Sequence, residues 1–222
     1  MKPSTMKRML QAFSCATLLA LASLPAGCLQ GGGTDVGNPE MRITGSIKRL
    51  DGSPAADIPL HLRPQTHLGS PDTTQTPAPS GRTLQDGRTD TQGFFVFDSV
   101  PKGEYRIQAM DTNGRGAIIE VSADGLSPRL ELKPAFLDST GTIMGQINYL
   151  GEIKGGYPKI TIAVYGTDRA TFATKTGAYV LSDLPPGKYK LHISYDAYHA
   201  NVPETGLNAG QKVTVGTVDL GP

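Results

Sequence analysis

The 222-residue chain has no tryptophan, only two cysteines and no charge bias, with 21 lysines and arginines against 20 aspartates and glutamates. An even charge leaves no electrostatic footprint for nucleic acid. Cys15 and Cys28 are too few for a disulfide framework. Flat glycan sites present aromatic platforms, and the usual tryptophan is missing. Apart from one apolar run near the N-terminus, no stretch approaches the roughly 20 apolar residues that span a bilayer. Catalytic signatures are also lacking. The sequence has no HExxH, no paired cysteines with metal spacing and no G-x-S-x-G. Asp90-Thr91-Gln92-Gly93 lacks the alternating carboxylates of a calcium loop and reads as a turn. Of the four histidines, His61 and His192 alternate with inward residues and should face solvent. These gaps argue against an enzyme. No catalytic, cofactor-binding or metal-ligating residue is assigned, and no cofactor is expected.

What is present is a repeat. Gly93-Phe94-Phe95-Val96-Phe97-Asp98-Ser99-Val100-Pro101-Lys102-Gly103-Glu104-Tyr105 returns 84 residues later as Gly177-Ala178-Tyr179-Val180-Leu181-Ser182-Asp183-Leu184-Pro185-Pro186-Gly187-Lys188-Tyr189. Both copies read G-x-[FY]-x-[FL]-x-x-[LV]-P-x-G-x-Y, which marks two copies of one module. Phe95 and Phe97, or Tyr179 and Leu181, alternate as on a half-buried strand. The proline presets φ for a tight connection, and the following Gly103 or Gly187 is free to take φ > 0. A strand then resumes at Tyr105 or Tyr189. Abundant glycine (27) and proline (17) suit many short strands joined by turns.

The N-terminus reads as an export signal. Lys2, Lys7 and Arg8 form a basic region, and Met9 to Leu24 an apolar one. Leu24-Pro25-Ala26-Gly27-Cys28 resembles the bacterial lipobox, with Pro25 where leucine is usual. The resemblance implies cleavage after residue 27 and lipidation of Cys28. An ordinary secretory peptide is the alternative. Two or more acyl chains give stable anchoring. Removal of residues 1–27 with their three basic groups leaves 18 basic against 20 acidic residues, a net −2. Leu29 stands where the aspartate of inner-membrane retention would, which points to the outer membrane. Residues 28–40, with Gly31-Gly32-Gly33, read as a flexible tether.

The first module is expected over 41–134. Ile43 and Ile47 share a face with Gly45, which lets a ring or backbone approach closely. Ile58, Leu60 and Leu62 follow. Residues 64–83 are polar, proline-rich and aperiodic, an insertion expected to be disordered, with His67 inside it. The second module, 135–222, restates Ile43-x-Gly45-x-Ile47 as Ile143-x-Gly145-x-Ile147. Ile160, Ile162 and Val164 form its next inner face, and its last strand is expected over Lys212 to Leu220.

Taken with these glycines, the repeated motif resembles the carboxypeptidase regulatory-like domain, also described as transthyretin-like or prealbumin-like and grouped with carbohydrate-binding-like folds. The resemblance implies an all-β chain of two tandem seven-stranded Greek-key β-sandwiches. The related collagen-adhesin B-type repeats cross-link lysine to asparagine with help from a glutamate before the turn. Phe97 to Val100 and Leu181 to Leu184 contain no glutamate, so no cross-link is expected. The resulting expectation is a non-enzymatic, lipid-anchored protein of the cell envelope, a spacer or a binding or adhesion module. Its partners would be the membrane, through the anchor, and an envelope protein or polysaccharide. The alternative is polysaccharide binding by one sandwich, for which Tyr157, Tyr165 and Tyr198 are the candidate ligand-facing residues. If the anchor is absent, the location becomes secreted or periplasmic.

Overall fold

A computed structural model describes residues 40–71, 85–151 and 158–221. Cys28, the tether, residues 72–83 of the insertion and Tyr157 lie outside the described residues. Within them the chain is all-β, built as two sandwiches in tandem.

In the first sandwich, one sheet runs β4 (Phe94–Val100), β1 (Met41–Lys48), β7 (Arg129–Glu131). The other runs β3 (Gln85–Arg88), β2 (Pro59–Pro64), β5 (Gly103–Met110), β6 (Arg115–Ala123). Two short strands follow in the connection between sandwiches. β8 (Ala135–Phe136) pairs with β1, and β9 (Asp138–Ser139) pairs with β6. In the second sandwich, β13 (Ala178–Leu184), β10 (Gly141–Tyr149) and β16 (Lys212–Leu220) face a sheet of β12 (Ala170–Phe172), β11 (Thr161–Val164), β14 (Gly187–Tyr195) and β15 (Tyr198–Leu207). The first strand of each module pairs antiparallel with the motif strand and parallel with the last strand.

Period-two alternation builds two separate cores. Ile43, Ile47, Leu60, Leu62, Phe95 and Ile107 fill the first, and Ile143, Ile160, Ile162, Tyr179, Leu191 and Ile193 the second. Burying each such side chain contributes roughly 1.5–3 kcal/mol. The inner-face glycines serve the purpose their position implies. A Cβ on Gly45 would lie 2.6 Å from Phe95 Cζ, and one on Gly145 would lie 2.5 Å from the Tyr179 hydroxyl oxygen. The strand alternation thus brings a ring directly beneath a glycine in both modules.

The motif turn differs from the expectation in one respect. Positive φ falls on Ser99 (55°) and Asp183 (57°), and not on Gly103 or Gly187. The cause is a bulge. Met41 pairs with Val100 and Ile43 with Phe97, so the motif strand carries one extra residue between those pairs. The same shift separates Gly141–Leu184 from Ile143–Leu181. The glycines are needed for closeness. A Cβ on Gly103 would stand 3.1 Å from the Tyr105 ring. That ring turns back so that its hydroxyl donates to the Pro101 carbonyl at 3.0 Å, and Tyr189 does the same to Pro185 at 2.5 Å. The terminal tyrosine of the motif therefore staples its own turn, as tyrosine corners do in sandwich domains. Burial pushes the Tyr189 phenol up from its ordinary value.

Asp90 confirms the turn reading. Its carboxylate accepts the main-chain N–H groups of Gln92 and Phe94 at 2.8 and 2.9 Å.

Candidate functional site between the sandwiches

The start of the insertion is not loose. Residues 64–71 are ordered, and His67, expected in a mobile loop, is buried. The turn after β2 folds back through the His67 N–H to Pro64 carbonyl bond. It then docks on the β11–β12 turn of the second sandwich. Gly166 N–H donates to the His67 carbonyl at 2.8 Å, and Leu68 forms a parallel bridge with Thr167. Gly69 is required here, since a Cβ on it would lie 2.5 Å from the Asp168 main-chain carbonyl. Local sequence made the stretch look polar and aperiodic because its order comes from residues about a hundred positions away.

A charged cluster fixes this contact. Arg63 on β2 donates through Nε and Nη2 to the Asp168 carboxylate at 2.9 and 2.7 Å. His67 Nε2 lies 2.7 Å from the other face of that pair, at Asp168 Oδ1. Arg63 Nη1 donates to the Leu62 and Gln85 carbonyls and pairs with Asp86, which also holds His61 Nδ1 at 2.8 Å. His61 thus lies on the outer face as expected, but it is engaged there. Burial alone would raise the Asp168 carboxyl. The hydrogen bonds and charges of His67 and Arg63 outweigh it and hold the group well below the usual carboxylate range.

Arg106 on β5 is the second tie. It donates to the main-chain carbonyls of Tyr165 at 3.2 Å and Lys188 at 2.7 Å, and to Glu120 at 3.0 Å. Its guanidinium sits 5.6 Å from the Tyr189 ring centroid, within cation–π range. Close backbone approach completes the junction. A Cβ on Gly116 would meet Pro185 at 2.7 Å, and one on Gly187 would meet Ile118 at 3.0 Å. Leu137, in the connection, is fully buried.

Beside these ties a cleft of about 320 Å³ opens between the sandwiches. Gln65, Thr66 and Glu120 line it from the first, and Tyr165, Lys190 and Glu204 from the second. Tyr165 projects from the outer face of its sheet. Its hydroxyl donates to Asn201 Oδ1 at 3.2 Å, and His192 Nδ1 lies 3.1 Å from the same oxygen. The Tyr165 and His192 rings meet edge to face at 5.7 Å, and His192 stacks on His199 at 5.3 Å. A row of three rings therefore runs from Tyr165, just past the end of β11, across β14 and β15.

Tyr198 does not join that row. It packs against the second core from the opposite face of the sheet, where Tyr149 and Tyr195 also lie. Strand phase explains the split, because Tyr198 alternates inward with Ala200 and Val202 while His199 and Asn201 point outward. The sequence places His192 on the solvent face of its strand, but nothing local sets Tyr165 and His199 beside it. Only strand pairing brings Ala163, His192 and Asn201 side by side. Among the described residues no three His, Cys, Asp or Glu side chains are grouped to hold a metal ion.

No family model and no curated protein matches the chain. Solved structures resemble it at low identity. A minor pilin of Streptococcus agalactiae is 17% identical over 81% of this chain and 95% of its own, with a TM-score of 0.34. A streptococcal ancillary pilin is 13% identical over 81% of this chain and 63% of its own, at 0.32. A candidate carbohydrate-binding protein from Pseudomonas aeruginosa is 19% identical over 43% of this chain and 88% of its own, at 0.28. Scores of this size are likenesses alone and carry nothing about ligand or role.

Proposed function

We propose that the chain is a non-enzymatic envelope protein, held to the outer membrane through lipid on Cys28, whose two sandwiches act as one stiff spacer presenting a binding surface. The observation that carries this reading is the junction. Arg63 and His67 grip Asp168, while Arg106 grips two carbonyls of the second sandwich. A freely jointed pair would leave those arginines to water. Here they are buried, so separating the sandwiches means rehydrating or stranding fixed charges. The lipobox-like Leu24 to Cys28 supports the anchor.

Recognition of polysaccharide by one sandwich is the second reading, favoured by the row of Tyr165, His192 and His199 beside a cleft.

The anchor is tested by intact mass and detergent-phase partitioning of the mature protein beside Cys28→Ala. A diacyl mass on Cys28, with loss of partitioning in the variant, supports the reading. A soluble, unmodified product cleaved elsewhere removes the anchor and leaves a secreted or periplasmic protein.

A further inference from the structure

We propose that the cleft between the sandwiches, with the adjoining Tyr165 and His192 rings, binds a short run of an uncharged polysaccharide. The inference rests on the polysaccharide reading above, moves the site from one sandwich to the seam between the two, and assigns it a chemistry.

Ligand sites favour interfaces between domains, and 320 Å³ lies at the lower end of their usual size, about 300–1,000 Å³. That suits one or two sugar rings entering from a longer chain. The lining is rich in hydrogen-bonding groups and carries little net charge. Arg106 is already committed to Glu120 and two carbonyls, and Glu204 is paired with Lys188 at 3.4 Å, which leaves Lys190 as the one lining cation without an ion pair among the described residues. A polymer with an anion on every sugar would need several such cations, and a cationic one an uncancelled carboxylate. Hydroxyls need both donors and acceptors. Lys190 supplies the first, Glu204 the second, and Gln65 and Thr66 both.

The aromatic element is already oriented. The Tyr165 hydroxyl is tied to Asn201, and its ring is braced edge-on by His192. A side chain held in place before binding loses little rotamer freedom when a ligand stacks on it. The apolar faces of sugar rings stack on such rings, while the polar rim satisfies their hydroxyls. Both halves of the cleft are needed, because Gln65 and Thr66 come from the first sandwich and Tyr165 from the second. The docked start of the insertion thus shapes a site that neither module has alone.

The test is affinity electrophoresis of the full chain in native gels containing dextran, mannan, xylan or glycogen, with alginate as an acidic comparison. Retardation by at least one neutral polysaccharide is expected, insensitive to added salt. Tyr165→Ala should weaken it roughly tenfold, with Tyr165→Phe retaining most of it. Glu204→Gln, at an exposed side chain, should weaken it as well and serves if Tyr165→Ala does not fold. Three results overturn the proposal: no retardation in any gel, retardation by alginate alone, or retardation unchanged in both Tyr165→Ala and Glu204→Gln. The last would leave polysaccharide binding intact and move it away from the cleft. The first would end the polysaccharide reading while leaving the anchored spacer untouched.

Discussion

Arg63 and Arg106 stand directly opposite each other on neighbouring strands, with their side chains turned to the outer face of the first sandwich. Like charges facing across a ladder repel, and a lone sandwich would offer them only Asp86 and Glu120 at its surface. Each side chain is instead 8% exposed, because the second sandwich brings Asp168 to one and a pair of carbonyls to the other. Asp86 and Glu120 of the first sandwich take part of the load, and the second sandwich completes the burial.

Removing the shared carboxylate should therefore loosen the junction more than either core. Asp168→Ala leaves the Arg63 guanidinium and the His67 ring without their common acceptor, at a cost of about 1–3 kcal/mol. Limited proteolysis after Pro64 should accelerate, and the thermal transition should split or broaden. Unchanged cleavage and unfolding would show that the cluster is decorative.

The pH dependence has a definite sign. A carboxyl held below its ordinary value contributes stability that is complete above its unfolded pKa, about 3.9, and fades as pH falls through the folded value. The difference in melting temperature between wild type and Asp168→Asn should stay constant from neutral pH to about 4 and shrink only in stronger acid. A difference that closes near neutral pH would contradict the assignment.

Gly45 and Gly145 should tolerate no side chain. Alanine at either would press on Phe95 or Tyr179, and overpacking of this kind costs about 1–3 kcal/mol. Gly216→Ala, with nothing within 4 Å, is the control expected to be close to neutral. Urea midpoints decide the matter.

The tyrosine staples can be cut singly. Tyr105→Phe and Tyr189→Phe each remove a hydroxyl that donates to a proline carbonyl, a loss of about 0.5–1.5 kcal/mol. Both variants should unfold at lower urea with unchanged slope. No shift in either would mean that the repeated tyrosine is kept for its ring alone.

The sequence reveals what depends on nearby residues. Alternation marked Ile160, Ile162 and Val164 as inward, glycine on an inner face foretold the ring beneath Gly45, and the last strand runs over Lys212–Leu220 as expected. It hides what depends on pairing. Ser99 and Asp183 take the left-handed turn because of a bulge in the ladder, which no local pattern announces. His67 and Asp168, 101 positions apart, look like ordinary polar residues until the modules dock. The same holds for the site: Tyr165 is visibly out of phase with its strand, whereas its histidine neighbours emerge only from the register of β14 and β15.

The stiffness of the junction is the central claim, and an interspin distance measures it. Spin labels at Ser127→Cys and Thr214→Cys, both exposed and on different sandwiches, would be placed in a background of Cys15→Ala and Cys28→Ala. Pulsed dipolar spectroscopy should give one narrow distance in that protein, and a broad distribution once Asp168→Ala is added. A broad distribution before Asp168 is touched would contradict the account, leaving two independently moving modules in place of a spacer.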